Sequence, residues 1–291
     1  YDVSCTGYLD GGVSLTINGS VPPYDYTWNN GATNQNLTNI GAGFYSVQVV
    51  DDNNCIINQD ITLTEPIDFS STYTVSDYNG FNISCFNDND GLIDYTLGGS
   101  VPPYTFNWSG PNNFQSISED NSGLYEGVYT LQVTDINNCI YYETIILDEP
   151  TDFSSTINST TNYNGFDISC NGYFDGAIDF EVTGSVPPYS YFWDSGQITQ
   201  DISNVNAGSY IVSVLDNNGC THVNSITLSE PTSLIGTIQS SNNYNSYDIS
   251  CTGYLDGGVS LAINGSVPPY DYTWNNGCLL YTSPSPRDGI G

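Results

Sequence analysis

The sequence predicts an all-β protein built from tandem immunoglobulin-like β-sandwich repeats of about 80 residues each. Residues 1–31 and 247–277 are identical at 29 of 31 positions, so the chain repeats itself. Apolar side chains alternate with a period of two, as in Val13, Leu15 and Ile17, which is typical of strands with one buried face. Asp-Gly, Asn-Gly and Pro-Pro separate these segments, and no helical period of useful length is present.

Each repeat carries the same ordered set of motifs. It opens on a cysteine that is followed five residues later by Asp-Gly, and it continues with Ser-Val-Pro-Pro-Tyr and a tryptophan four residues after that tyrosine. The second half contains Gly-x-Tyr, a cysteine ten residues after that tyrosine, and a closing Glu-Pro. The opening cysteines are Cys5, Cys85, Cys170 and Cys251, and the second cysteines are Cys55, Cys139 and Cys220.

The Glu-Pro pairs set the predicted domain boundaries. Residues 67–150 (repeat 2) and 151–231 (repeat 3) are complete, whereas 1–66 (repeat 1) and 232–277 (repeat 4) are expected to be truncated at their N-terminal and C-terminal sides. Residues 278–291 interrupt the near-identity between repeats 1 and 4 and contain the only Arg. They resemble the in-frame translation of a sequencing adapter, so we predict that this segment is an artefact.

The charge balance excludes several classes of function. The chain has 32 Asp and Glu residues but only one Lys or Arg, giving a formal net charge of -31. Such a surface repels nucleic acid and anionic lipid. No stretch approaches the roughly 20 apolar residues that span a bilayer, so membrane insertion is not expected of this fragment.

The spacing of the cysteines predicts one disulfide within each repeat: Cys5 with Cys55, Cys85 with Cys139, and Cys170 with Cys220. Cys251 is left without a partner because the second half of repeat 4 is missing. A bridge that closes a loop of about 50 residues stabilises a small domain by roughly 4 kcal/mol, and it requires an oxidising compartment. A zinc site is the weaker interpretation, because no Cys-x-x-Cys or His cluster accompanies these cysteines.

Acidic residues near the cysteines suggest calcium as the one candidate cofactor. If the predicted bridges form, an Asp five residues after each first cysteine and an Asp four residues before each second cysteine meet at one end of the sandwich. The candidate ligands are Asp10, Asp51, Asp90, Asp135, Asp175 and Asp216. The alternative is that these residues only form turns, which Asp-Gly and Asp-Asn favour in any protein.

Catalytic chemistry is not expected. His222 is the only histidine, it occurs in one repeat, and its position two residues after Cys220 favours an edge or surface residue over a general base. No Ser-His-Asp set can repeat when the histidine does not. Phosphate-binding glycine loops need a lysine or a following helix, and the sequence has no lysine.

The combined motifs resemble the SprB repeat. They read Cys-x-Gly-x-x-Asp-Gly, then Gly-Ser-Val-Pro-Pro-Tyr-x-Tyr-x-Trp, then Ala-Gly-x-Tyr-x-Val-x-Val-x-Asp-x-x-x-Cys. The match is best over residues 5–55 and 170–220, whereas repeat 2 departs from it at 85–91 and at Glu126-Gly127. SprB repeats occur in long surface adhesins of Bacteroidetes, including those used in gliding motility.

The resemblance implies an extracellular, cell-surface protein that is exported by the type IX system and associated with the outer membrane. We expect the repeats to be a non-catalytic stalk whose partners are neighbouring repeats and, through the parent protein, surface glycans or other cells. Two alternatives stay open: glycan-binding repeats that use exposed tyrosines, and accessory domains of a secreted enzyme.

Overall fold

The structure is a computed structural model that describes residues 1–275. The predicted adapter segment 278–291 and the last two residues of repeat 4 lie outside the described residues. Within residues 1–275 the chain forms twenty β-strands and a single 3-10 turn at Pro111–Asn113. None of these residues belongs to a helix long and apolar enough to cross a membrane.

The chain divides into two compact units. The first comprises Tyr1–Asp152 together with Asn218–Cys220, and the second comprises Phe153–Asn217 together with the chain from Thr221 onward. The predicted repeats are used below as names for stretches of sequence. Their boundaries stay a prediction, although each of the three hydrophobic cores described next lies inside one predicted repeat.

Repeat 1 contributes five strands to the first unit. They are β1 (Gly11–Val13), β2 (Tyr24–Trp28), β3 (Leu37–Ile40), β4 (Gly43–Asp51) and β5 (Ile56–Leu63). β1 pairs with β3, and β2, β4 and β5 form a second sheet in the order β2-β4-β5. Trp28, Val47 and Leu63 are buried in the core of this repeat.

Repeat 2 contributes seven strands to the same unit. They are β6 (Ser70–Val75), β7 (Gly91–Gly98), β8 (Thr105–Ser109), β9 (Gln115–Ser116), β10 (Asn121–Leu124), β11 (Gly127–Thr134) and β12 (Ile140–Leu147). They form two antiparallel sheets in the orders β10-β7-β6 and β12-β11-β8-β9. The inward residues of both sheets meet in one core that includes Tyr95, Trp108 and Leu131.

The second unit repeats this arrangement. Its strands are β13 (Ser154–Ser159), β14 (Gly176–Thr183), β15 (Ser190–Trp193), β16 (Ile202–Val205), β17 (Gly208–Leu215), β18 (Thr221–Leu228), β19 (Ile235–Ser240) and β20 (Val259–Asn264). The sheets are β13-β14-β16, β15-β17-β18 and β19-β20, all antiparallel. Two packed antiparallel sheets over one core define a sandwich, so the predicted fold class is confirmed.

The aromatic residues of the motifs hold the sandwiches together. The indole N–H of each buried tryptophan donates to a backbone carbonyl, as Trp108 does to Ser118 at 2.9 Å. The tyrosine of Gly-x-Tyr donates its hydroxyl to the carbonyl four residues upstream, seen for Tyr45, Tyr129 and Tyr210. This bond resembles the tyrosine corner of immunoglobulin-like domains, in which a tyrosine hydroxyl donates to the backbone a few residues upstream. These motif residues therefore serve the fold.

Candidate functional site: the cysteine junctions

The two cysteines of repeat 2 lie at opposite ends of its sandwich. Cys139 comes directly before β12, whose eight residues extend about 26 Å. Beyond the other end of β12, the Asp148 carbonyl accepts hydrogen bonds from the backbone N–H groups of Asn82 and Ile83, close to Cys85 in sequence. A disulfide requires Cα atoms within about 7 Å, so these two cysteines cannot bond to each other.

The disulfides instead join cysteines of consecutive repeats. Cys5 of repeat 1 is bonded to Cys139 of repeat 2, and Cys85 of repeat 2 is bonded to Cys220 of repeat 3. The two Cα atoms are 5.7 Å apart in each bridge. The predicted pairing within each repeat is therefore wrong, although the pairing of first cysteines with second cysteines is correct. The physical reason is the length of β12, which places Cys139 at one end of the sandwich and the loop of Cys85 at the other end.

Cys55, Cys170 and Cys251 are unbonded in the described structure. In both observed bridges, the first cysteine of one repeat bonds to the second cysteine of the next repeat. By the same rule, Cys55, a second cysteine, would bond to a repeat that precedes repeat 1. Cys170, a first cysteine, would bond to the repeat that follows repeat 3. Cys251 is also a first cysteine, so the same rule would join it to a later repeat and not to the second half of repeat 4, where its partner was predicted.

An asparagine beside each second cysteine adds hydrogen bonds to the junction. The Asn137 side chain donates to the carbonyl of Ser4, the residue before Cys5, at 3.0 Å. Asn218 holds the same position before Cys220 and donates to the carbonyl of Ser84 at 2.9 Å. The sequence motifs above do not include these asparagines, although an Asn lies two residues before each second cysteine, including Asn53 before Cys55. This recurrence could have identified them as part of the junction.

The carboxylates before the second cysteines shape the loop that carries the sulfur. Asp135 is 5 % exposed and accepts hydrogen bonds from the backbone N–H groups of Asn137 and Cys139, both at 2.8 Å. Its other oxygen accepts from Ser100 Oγ at 2.6 Å and from the Val101 N–H at 3.2 Å. Asp51 has the same four kinds of partner in repeat 1. Ser100 and Val101 belong to the Ser-Val-Pro-Pro-Tyr motif, which explains why that motif recurs with the Asp.

These hydrogen bonds lower the pKa of both carboxyl groups. The hydrogen bond from the Ser20 hydroxyl contributes most to lowering the pKa of Asp51 to about 2. Burial raises the pKa of Asp135, but the hydrogen bonds from Ser100, Cys139, Val101 and Asn137 together outweigh it, and the net direction is down. Both groups are therefore ionised whenever the loop is formed near neutral pH.

The carboxylates after the first cysteines shape the opposite loop. Asp10, Asp90, Asp175 and Asp256 each accept a hydrogen bond from the backbone N–H of the serine that precedes the cysteine. The glutamate of Glu-Pro closes the same loop: Glu65 accepts from the Gly7 N–H, and Glu149 from the Asn87 N–H, at 2.7 Å in both cases. The acidic residues of the motifs thus hold the two loops that a disulfide joins.

The geometry gives the predicted calcium site no support. The argument for calcium needed a bridge within one repeat to bring Asp10 to Asp51, and likewise Asp90 to Asp135 and Asp175 to Asp216. That bridge does not form. Within residues 1–275, no group of three or more His, Cys, Asp or Glu side chains is placed to hold a metal ion. Calcium binding stays a prediction, which the thermal midpoint with and without millimolar calcium would test.

His222 occupies a structural position between two sheets. It lies half-buried on β18, stacks on Phe153 with ring centroids 5.3 Å apart, and its Nε2 is 2.8 Å from Ser155 Oγ on β13. In repeat 2 the equivalent contact joins Ser71 to Tyr141, at 3.0 Å between the hydroxyl oxygens. Because tyrosine takes the same place, the contact links the sheets whichever ring is present. The expected edge position was thus correct, since β18 is the outer strand of its sheet.

The fold and the junctions define the class of the protein: a tandem array of immunoglobulin-like sandwiches whose consecutive members are joined by disulfides. The SprB repeat family matches this chain four times, at residues 1–33, 81–113, 166–198 and 243–278. Four stretches of the chain are therefore similar to the SprB repeat, as the motifs predicted, and SprB repeats imply a protein of the cell surface. Each match runs from a few residues before a first cysteine to beyond the tryptophan that follows it.

Solved structures similar to the chain contain immunoglobulin domains. The N-terminal eight Ig domains of Down Syndrome Cell Adhesion Molecule are 12% identical, with a TM-score of 0.38, and the match covers 71% of this chain and 32% of that one. This chain thus spans about a third of that structure. The amphioxus IgVJ-C2 molecule is 14% identical, with a TM-score of 0.24, over 48% of this chain and 97% of that one. No curated protein matches the chain.

Proposed function

We propose that these repeats form the tension-bearing stalk of a bacterial cell-surface adhesin that acts in adhesion or gliding motility. The observation that carries the proposal is the pair of overlapping disulfides, Cys5–Cys139 and Cys85–Cys220. A protein that joins a cell to a surface is pulled along its length. Covalent bonds between consecutive repeats limit how far such a chain can be extended after its domains unfold.

The size of this limit follows from the connectivity. Cys5 and Cys220 are 215 positions apart in sequence (220 minus 5), but the route through the Cys85–Cys220 bridge has only 80 (85 minus 5). The route through the Cys5–Cys139 bridge has 81 (220 minus 139). The route that uses both bridges is the shortest, with 54 (139 minus 85). Together the bridges therefore withhold about 161 residues (215 minus 54) from extension, which is about 550 Å at about 3.4 Å per residue.

The routes are parallel, so either bridge alone still withholds most of this length. Loss of one disulfide lengthens the fully extended chain by only about 26 residues (80 minus 54) or 27 residues (81 minus 54), and only loss of both releases the whole withheld segment. Bridges within single repeats have no such redundancy, because each would withhold its own loop of about 50 residues independently. Overlapping bridges are thus suited to a stalk that must survive the rupture of one bond.

Single-molecule pulling between the two ends of the oxidised chain tests this proposal. We expect the variant with Cys5→Ser and Cys139→Ser, and the variant with Cys85→Ser and Cys220→Ser, each to be longer than the wild type by only about 90 Å. The variant with all four substitutions should be longer by about 550 Å. If each two-residue variant is longer by about 350 Å, as bridges within single repeats would require, the bridges do not overlap and the proposal fails.

The partners of the stalk follow from the same proposal. Along the array they are neighbouring repeats, which contribute the cysteines that Cys55 and Cys170 lack here. Surface glycans or other cells would be bound elsewhere in the parent protein, so isolated repeats should give no signal on a glycan array. Binding of the isolated repeats to glycans would instead favour direct recognition through exposed tyrosines.

A further inference from the structure

The loop before Cys220 contains an Asn-Gly pair that the equivalent loops of repeats 1 and 2 lack. The pair is Asn218-Gly219, whereas the other two repeats have Asn-Asn at the same places. Gly219 has a positive φ of 91°, and so have Asn54, with 62°, and Asn138, with 65°. Asparagine adopts this left-handed conformation more readily than most residues, so the backbone of the loop does not require glycine.

An asparagine that is followed by glycine is chemically prone to deamidation. The backbone nitrogen of the glycine attacks Cγ of the asparagine, the bond from Cγ to Nδ2 breaks, and the side-chain nitrogen leaves with the backbone proton as ammonia. Water then opens the resulting succinimide ring at either of its carbonyl groups and leaves aspartate or isoaspartate. A side chain on the attacking residue hinders this reaction, and glycine has none. Asn218 therefore has a reactive neighbour that Asn53 and Asn137 do not have.

The closed junction holds the Asn218 side chain in hydrogen bonds that the reaction has to break. Its Nδ2 donates to the Tyr78 carbonyl at 3.1 Å and to the Ser84 carbonyl at 2.9 Å, and its Oδ1 accepts from Asn79 Nδ2 at 2.5 Å. Both N–H bonds of the amide are thus donated to backbone carbonyls of repeat 2. The Cys85–Cys220 bridge, two residues further along the chain, keeps these groups together.

We propose that Asn218 is a deamidation site that the closed Cys85–Cys220 junction protects and that opening of the junction exposes. The reaction replaces an amide, which donates two hydrogen bonds, by a carboxylate, which donates none. The Tyr78 and Ser84 carbonyls then face a negative charge instead of a donor. Isoaspartate also adds one carbon atom to the backbone just before Cys220 and so displaces its sulfur. A junction that has opened and reacted therefore does not close again as before.

Peptide mapping by mass spectrometry, after incubation at mildly alkaline pH, tests the site. The oxidised wild type is compared with the variant that carries Cys85→Ser and Cys220→Ser. We expect Asn218 to deamidate about tenfold or more faster in the variant, because the reaction proceeds from the open junction, whose population rises without the bridge. Asn30, which precedes Gly31 in repeat 1, should react at the same rate in both chains. Equal rates at Asn218 in both chains, or an unreactive Asn218 in the variant, overturn the proposal.

Gly219→Asn in the same bridge-free chain separates the chemistry from general unfolding. The substitution installs the residue that repeats 1 and 2 have at this place, where it also has a positive φ. We expect deamidation at Asn218 to become several-fold slower while the thermal midpoint stays the same. An unchanged rate would contradict attack by the glycine nitrogen.

Reduction followed by reoxidation tests the consequence for the junction. Every chain carries Ser in place of the three unbonded cysteines, Cys55, Cys170 and Cys251, so that these cannot mispair. We expect Asn218→Asp to lose most of the recovered Cys85–Cys220 bridge while it recovers Cys5–Cys139 fully. Asn217→Asp adds the same charge at the exposed neighbouring residue and should recover both bridges as the wild type does. Full recovery of both bridges in Asn218→Asp shows that the carboxylate does not prevent closure, which contradicts the proposal.

Discussion

Individual carboxylates in this chain act as acceptors for backbone N–H groups at the loops that hold the cysteines. The sequence located these residues correctly because the Asp recurs at a fixed distance from each cysteine. It did not reveal their role, since turn formation and calcium binding draw on the same residue type. The structure favours the turn role: Asp135 accepts four hydrogen bonds from its own repeat.

Removal of the Asp135 carboxylate should destabilise repeat 2. In Asp135→Ala the N–H groups of Asn137 and Cys139 lose a buried acceptor, at a cost of about 2 kcal/mol. Chemical denaturation of the variant and the wild type measures this difference. Asp94→Ala is the control, because Asp94 is exposed on β7 of the same repeat. Equal loss of stability in both variants would mean that the hydrogen bonds of Asp135 contribute nothing specific.

The same carboxylates predict how stability depends on pH. The pKa values of Asp51 and Asp135 are lowered in the folded chain, so the folded state releases these protons more readily than the unfolded state. These two carboxylates contribute their full stabilisation at pH values above the pKa of Asp in the unfolded chain, which is near 4. This stabilisation is lost as pH falls through their pKa values in the folded chain, which for Asp51 is about 2. We expect the thermal midpoint to fall between pH 4 and pH 2, and to fall less steeply in Asp51→Asn. An identical slope in the variant would contradict this assignment.

Strands are the elements that the sequence predicted best. The alternation of Val13, Leu15 and Ile17 recurs in repeat 3 as Ile178, Phe180 and Val182, which all lie on β14, whereas in repeat 1 the strand β1 ends at Val13. A period of two is what a pleated strand produces, and turn residues marked the strand ends. The glycine of Asp-Gly was interpreted as a turn residue, which is wrong. Gly11, Gly91 and Gly176 are the first residues of β1, β7 and β14. The need for glycine here arises from tertiary packing, which a local pattern does not report.

Gly176 should tolerate no side chain, because a Cβ at this position would lie 2.5 Å from Ile168 Cδ1 and 3.0 Å from the Val205 carbonyl oxygen. Gly176→Ala is therefore expected to destabilise repeat 3 by roughly 1–3 kcal/mol, the usual cost of overpacking a core. Equilibrium denaturation monitored by tryptophan fluorescence gives the value. Glu181→Ala on the exposed face of the same strand provides the control and should change stability little. If Gly176→Ala leaves the free energy of unfolding unchanged, the close contact with Ile168 is relieved without cost.

At the scale of the whole molecule, the cysteine connectivity was the feature that sequence could not supply. Repeats 1 to 3 each have a first and a second cysteine, and the sequence spacing of about 50 residues made pairing within a repeat the simplest prediction. The eight-residue strand β12 rules that pairing out, because it places Cys139 at one end of the sandwich and the Cys85 loop at the other. The choice of partner thus depends on where each loop lies in three dimensions.

The overlap of the two bridges is the central claim, and disulfide mapping tests it most directly. The oxidised chain, with free thiols blocked, is digested without reduction and its cross-linked peptides are identified by mass spectrometry. We predict that Cys5 is recovered linked to Cys139 and Cys85 linked to Cys220, with Cys55, Cys170 and Cys251 carrying the blocking group. Recovery of Cys5 linked to Cys55 and of Cys85 linked to Cys139 would contradict the overlapping arrangement and the stalk mechanism built on it.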